Sequence, residues 1–398
     1  MSYYLLPKIP IQVIKHIQYT DNDSIPETSI SNSLSLYLSE IKEKIEPNEK
    51  EWDVYKKHTN PYEYIHSNVP SKKKSVSKIV PLSRSFFKMI EIIHTFDLNT
   101  DNRPMNFFHL AEGPGGFIEA FVKTRENKND VYHGMTLIDA DNEVNVPSWK
   151  RADTFLKENP NVKLEYGKDG TGNILNMGNL KHCVEKYSNK MDIITADGGF
   201  DFSVDFNNQE ISITRLLFAQ IIFALCMQKK GGCFVLKLFD CFMQHTVDLL
   251  YILSAFYEKV YIIKPHTSRY ANSEKYIVCK NFIFSSNTYY LNILETQFEK
   301  MLQSKKHVHR FLTIPVSNIF ITKLEEYNAI FGQQQIENIH YTLCLMHNKN
   351  KQERINQLIQ ANTEKCVYWC NKHNIPHLSF TPEHNVFLST SFNRNGRF

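Results

Sequence analysis

Phe107-Phe108-His109-Leu110-Ala111-Glu112-Gly113-Pro114-Gly115-Gly116-Phe117-Ile118-Glu119-Ala120-Phe121 decides how the chain is read. Phe107 to Ala111 is a short apolar run of strand formers. Glu112 to Gly116 cannot continue a strand or a helix. Phe117, Ile118, Ala120, Phe121 and Val122 then fall at helical spacing. The order is strand, glycine turn, helix. Such a turn lets backbone approach a ligand at the carboxyl end of a strand, where open α/β sheets bind their ligands.

The ligand class follows from the turn. A dinucleotide fingerprint needs a third glycine where Ile118 stands, and a phosphate loop needs Gly-Lys-Ser/Thr. Glu112 would repel a pyrophosphate. It suits a ligand with a cationic amino-acid end, such as S-adenosylmethionine.

Outward from the turn, strands and helices alternate. Strands are expected at His133–Ile138, Val162–Tyr166, Met191–Ala196, Cys233–Leu238, Lys259–Ile263 and Tyr276–Phe284. The long helix Gln209–Lys229 and the helix Cys241–Phe256 lie between later strands. Alternation of this kind predicts an α/β, Rossmann-like, mostly parallel sheet with helices on both faces. Upstream, Pro81 to Ile93 reads as an amphipathic helix with Phe86, Phe87, Ile90 and Ile93 inward and Lys88 off that stripe. Residues 1–75 form an N-terminal extension, 76–285 the sheet domain, and 286–398 a C-terminal, mainly helical region. The helices expected there are Tyr289–Leu302, Ser317–Gly332, Gln335–His347 and Gln352–His373.

Acids at strand ends are the next candidates. Asp139 or Asp141, after the second strand, is placed to hold a ligand ribose. The loop Gly167–Ile174, with Asp169 and Asn173, is placed to reach over an adenine. Asp197 ends the fourth strand and points into the ligand crevice. Lys237 interrupts an apolar strand, and burying an unpartnered lysine costs several kcal/mol or forces deprotonation. It is the strongest catalytic candidate visible from the residues alone.

Composition sets outer limits. The chain has 398 residues, 42% hydrophobic, with formal net charge +4, which is compatible with nucleic acid as a partner. Eight cysteines without a Cys-x-x-Cys pair read as reduced thiols. Cys366, Cys370, His373 and His377 match no common zinc spacing, so no metal is expected. The apolar stretch Leu216–Met227 is too short to span a bilayer, so no membrane is expected. Lys72, Lys73 and Lys74 form a phosphate-contacting candidate edge. Trp52, Tyr55, Tyr62 and Tyr64 are expected to pin the extension to the sheet domain.

From Ser83 to Lys280 the chain resembles the FtsJ-type ribose 2'-O-methyltransferases. Ser83-Arg84-Ser85-Phe86-Phe87-Lys88 is similar to that family's first lysine motif, and Glu112-Gly113-Pro114-Gly115-Gly116-Phe117 to its S-adenosylmethionine turn. The resemblance implies a catalytic tetrad of Lys88, Asp197, Lys237 and Glu274, with Lys237 as base, Asp197 also at the donor, and Glu274 orienting the lysines. Lys264-Pro265, Ser268-Arg269, Ser273-Glu274 and Tyr276 are similar to the family's ending. Within the family, Ala111–Phe117, Asp169–Ile174 and Ala196–Phe200 look like the cap-specific mRNA branch. Asn173 stands where aspartate is usual.

The resemblance implies S-adenosyl-L-methionine as cofactor and a capped mRNA 5' end as substrate, with Arg84, Ser268 and Arg269 toward RNA. Other capping-complex proteins are implied partners, and the cytoplasm is the expected compartment. A ribosomal or transfer RNA 2'-O-methyltransferase, and a silent RNA-binding subunit, are the alternatives.

Overall fold

A computed structural model describes residues 3–66, 75–138, 148, 149, 151–199, 208–348 and 350–378. In chain order it forms β1 (Tyr3–Leu6), β2 (Ile17–Asn22), α1 (Asn32–Glu43), α2 (Glu49–Thr59), α3 (Ser85–Phe96), β3 (Asn106–Leu110) and α4 (Gly116–Arg125). Then come β4 (Val131–Met135), α5 (Asp153–Glu158), β5 (Val162–Glu165), α6 (Met177–Tyr187), β6 (Met191–Ala196), α7 (Gln209–Met227) and β7 (Gln228–Leu238). The chain continues through α8 (Gln244–Phe256), β8 (Tyr257–Ile263), β9 (Lys275–Phe282), α9 (Leu291–Gln303), β10 (His307–Leu312), α10 (Asn318–His347) and α11 (Lys351–Lys372).

Eight strands make one sheet in the order β1-β8-β9-β7-β6-β3-β4-β5. β5, β4, β3, β6 and β7 pair in parallel. β9 runs antiparallel between β7 and β8. Successive crossovers leave β3 in opposite directions, to β4 on one side and β6 on the other, so a crevice opens at their carboxyl ends.

Side chains alternate across the pleat. Phe108, Leu110, Ile194, Phe234 and Leu236 join the core with α6, α7 and α8. Phe107, Ile193 and Val235 join the opposite core with α3, α4, α5 and α11. α3 buries Phe86, Phe87, Met89, Ile90, Ile92, Ile93 and Phe96, each contributing about 1.5–3 kcal/mol of transfer free energy. Lys88 is left at the edge of that apolar surface. α7 is long and apolar enough to cross a membrane, yet 83% of its apolar window is buried inside the protein.

Several elements differ from expectation. β7 begins at Gln228, so Gly231 and Gly232 lie inside the strand. The expected helices Ser317–Gly332 and Gln335–His347 are one continuous α10. Gly332 sits mid-helix because a side chain there would collide with Leu34 of α1. The basic stretch after α9 folds as β10 and pairs with β2 in a separate ribbon, a pairing across the chain that local composition cannot show.

The extension is woven into the sheet domain. β1 pairs antiparallel with β8, Trp52 and Tyr64 are buried, and Tyr62 packs on His266 with ring centroids 5.0 Å apart. After α11 the chain returns to the segment just past the extension: Lys78 N donates to Pro376 O at 2.8 Å, and Leu378 N to Val76 O at 2.9 Å.

Candidate active site

The glycine turn follows β3 directly. Gly115 has φ +110°, a region other residues rarely adopt. A side chain at Gly116 would collide with the hydroxyls of Ser83 and Ser85, so glycine lets the start of α3 rest against the turn. That contact brings α3, and Lys88 on it, to the carboxyl end of the sheet.

Glu112 is buried behind the turn. Its Oε1 accepts from the backbone N–H of Phe117 at 2.6 Å and of Ile118 at 3.4 Å, capping α4. Its Oε2 is buried and has no hydrogen-bond partner among the described residues. Burial, reinforced by the neighbouring Asp197 carboxylate, raises this carboxyl well above the ordinary range. An ammonium would offset both effects, so the residues fit the amino-acid end of S-adenosylmethionine. Glu112, Gly113 to Gly116 and Phe117 would hold that end.

The four tetrad candidates converge beside this turn. Lys237, at the end of β7, donates to the backbone oxygen of Asp197 at 2.6 Å and lies 3.1 Å from its Oδ1. Gly199 leaves the lysine room, since a Cβ there would lie 3.2 Å from its Nζ. Lys88 Nζ lies 2.7 Å from Oε1 of Glu274 and 2.8 Å from Oε2. Burial alone would raise the Glu274 carboxyl, but Lys88 first and Lys237 second hold it at about 2. Ser268 Oγ donates to Glu274 Oε1 at 2.8 Å, and Tyr276 OH reaches Asp197 Oδ1 at 3.5 Å.

Other expected residues are held by contacts within the protein. Asp169 accepts from Thr171 N and Oγ1, from Asn176 Nδ2 and from Asn179 Nδ2. Asn173 Oδ1 accepts from Leu175 N at 2.9 Å. Both side chains therefore brace their own loop, which joins the end of β4 through Ile138 N to Thr171 O at 2.8 Å. Arg84 and Arg269, expected toward RNA, converge on the buried Glu63 of the extension. Arg269 donates to both Glu63 oxygens, at 3.0 and 2.9 Å, and Arg84 Nη2 lies 3.6 Å from Oε2. Burial would raise the Glu63 carboxyl, yet Arg84 and then Arg269 pull it down to about 2. Asp139, Asp141, Lys72, Lys73 and Lys74 lie outside the described residues. Among the described residues no group of three or more His, Cys, Asp and Glu is arranged to hold a metal ion.

Sequence reasoning missed three groups beside the tetrad. Glu63 is one. Glu91, three residues after Lys88, is buried and accepts from His266 N at 2.8 Å, Thr267 N at 3.2 Å and Thr267 Oγ1 at 3.1 Å. An acid on the apolar face of α3 was the available signal. Gln220 Oε1 accepts from Gly198 N at 2.9 Å, fixing the turn after Asp197.

A nucleotide-type crevice with an unspent buried acid and a two-lysine, two-carboxylate cluster defines a methyltransferase-like site. The FtsJ-like methyltransferase family model matches residues 81–282, and the chain belongs to that family. "Cap-specific mRNA (nucleoside-2'-O-)-methyltransferase 2" of Danio rerio is 30% identical over 335 residues, 81% of this chain and 44% of that protein. "Cap-specific mRNA (nucleoside-2'-O-)-methyltransferase 1" of Dictyostelium discoideum is 31% identical over 295 residues, 67% of this chain and 37% of that protein. The protein of that second name from Trypanosoma cruzi (strain CL Brener) is 36% identical over 181 residues, 44% of this chain and 48% of its own. The chain thus spans less than half the length of each of these relatives.

Proposed function

We propose that this chain methylates the ribose 2'-oxygen of a cap-proximal nucleotide in capped mRNA, using S-adenosyl-L-methionine. The observation that carries the chemistry is the pairing of Lys237 with Asp197 and of Lys88 with Glu274 beside Glu112. The names of the relatives support the capped substrate.

Bound in the crevice, S-adenosylmethionine supplies an electrophilic methyl group. The residues of the chain do the rest. A ribose hydroxyl is a poor nucleophile near neutral pH and needs a general base or a site that stabilises developing oxyanion charge. Lys237, entering the step as the neutral amine, takes the 2'-hydroxyl proton on Nζ and becomes an ammonium, held in place by the backbone and side-chain oxygens of Asp197. Glu274 holds Lys88, whose ammonium faces the developing charge. Orientation of the oxygen by this fixed frame supplies several kcal/mol of the acceleration. The cytoplasm is the compartment this reading expects.

The test compares capped and uncapped RNAs of one sequence with labelled S-adenosylmethionine. Label on the 2'-oxygen of a cap-proximal nucleotide, with little on uncapped RNA, is the expected result. Equal labelling of uncapped RNA moves the substrate to ribosomal or transfer RNA. Donor binding without transfer to any RNA leaves a silent RNA-binding subunit.

A further inference from the structure

Residues 264–274 link β8 to β9, and they carry Glu274 at their far end. The side chain that closes this excursion is Lys264. Its Nζ donates to Asn272 O at 2.6 Å, to Asn272 Oδ1 at 2.9 Å and to Glu274 O at 2.9 Å. In its ammonium form Lys264 has three N–H groups, and all are spent on the far end of the loop. Lys264 is 7% exposed, and among the described residues no carboxylate oxygen pairs with it. A buried cation without a paired anion is expensive, and here its return is geometric.

The rest of the loop tightens the same knot. Ser268 N donates to Pro265 O at 3.0 Å, and Ser268 Oγ donates to Glu274 Oε1 at 2.8 Å and Asn272 Oδ1 at 3.4 Å. Glu274 is therefore gripped by its backbone oxygen and by its carboxylate. Only then does it present its oxygens to Lys88. Among the charged groups around Lys264, Lys275 and Lys88 repel it, while Glu274 and Asp240 attract it. Burial and the two lysines outweigh the carboxylates and lower its pKa to about 7.

We infer that Lys264 is a positioning residue: it fixes the loop that carries Glu274, and through Glu274 it sets Lys88, without touching either substrate. The inference rests on the methyl-transfer reading for its kinetic consequences, and on geometry alone for its structural one.

The test uses the full chain with Lys264→Met, Lys264→Arg and Asn272→Ala, each also in a Glu274→Gln background. Lys264→Met should lower kcat on the order of 100-fold, the scale of a small misplacement of a reacting frame, with KM for donor and capped RNA within about 3-fold. Lys264→Arg should not restore kcat, because a planar guanidinium cannot converge its donors as an ammonium does. In the Glu274→Gln background, Lys264→Met should cost less than about 3-fold more, since both act through one group. A crystal structure of Lys264→Met should show the Lys88–Glu274 contact, now 2.7 Å, opened beyond about 3.5 Å. Full activity of Lys264→Arg, a loss carried by KM, additive losses, or an unchanged Lys88–Glu274 contact would each overturn the inference.

If Lys264→Met fails to fold, Asn272→Ala decides: a loss of roughly 3- to 10-fold in kcat alone supports positioning, and an unchanged kcat refutes it. If the wild-type chain methylates no RNA, the functional reading fails, and the Lys88–Glu274 distance in the variant crystals still decides the role of Lys264.

Discussion

At the amino end of the sheet, just before β4, Asp130 spends both carboxylate oxygens. Oδ1 accepts from Met105 N at 2.9 Å and Arg125 Nη2 at 3.0 Å, and Oδ2 accepts from Tyr132 OH at 3.0 Å and from Arg125 Nε. Asp192 likewise takes Arg103, Lys229 and the backbone of Asn106. At the carboxyl end of the same strands, Glu112 keeps an oxygen with no donor among the described residues. One end is saturated by the protein itself. The other leaves a buried demand that a ligand can meet. Charged residues at a sheet's end are thus no guide to function until their valences are counted.

The widest test of this contrast is Lys237→Ala. It should lower methyl transfer by roughly 10²–10⁴-fold, the usual share of a general base, with donor binding retained by calorimetry. At the saturated end, Asp130→Ala should instead leave turnover per folded molecule unchanged. It strands the buried Arg125, and urea unfolding should register a loss of about 3–5 kcal/mol. A variant with normal stability would place the amino end outside the fold's support.

Glu91 sharpens the comparison because it is buried like Glu274 yet receives only neutral donors. Burial raises its carboxyl to about 7, against an ordinary value of 4.5. The folded state therefore binds the proton more tightly than the unfolded chain. This group's contribution is complete below about pH 4.5 and is lost as pH rises through about 7, a change of about 3 kcal/mol. Glu91→Gln should remove that part of the fall, read as a smaller drop in unfolding free energy between pH 4.5 and 8. An identical drop in both proteins would mean that Glu91 does not titrate there.

The smallest expected effect is at Glu112→Gln. It should weaken donor binding about 10-fold, the scale of one charged hydrogen bond, while leaving the α4 cap intact. Binding to the wild type should also strengthen as pH rises, because burial and Asp197 keep Glu112 protonated well above the ordinary range. PH-independent binding would remove Glu112 from the donor's ammonium.

Much of this architecture was legible because it is local. The glycine turn, the strand carrying Lys237 and the helix carrying Lys88 each announce themselves by period and punctuation. The pairing of Lys88 with Glu274 spans 186 residues, and only the resemblance to a family suggested it. What stayed hidden depends on the extension and on loop closure. Nothing near Glu63 in sequence says that Arg84 and Arg269 will meet there. Lys264 looks like any lysine before a proline until its three acceptors are seen. The β2–β10 ribbon stayed hidden for the same reason, since neither strand has a partner nearby in the chain.

The edge strand β1 has a consequence in time. Tyr3 to Leu6 pair with β8, and Lys8 bonds to carbonyls 246 to 249 residues further along. During synthesis β1 must therefore wait for some 250 further residues before its partner exists. Contacts of such separation form late and leave apolar surface waiting. Synthesis arrested before β8 should yield a protease-sensitive segment around Ile9, Val13 and Ile14, and release past β9 should protect it.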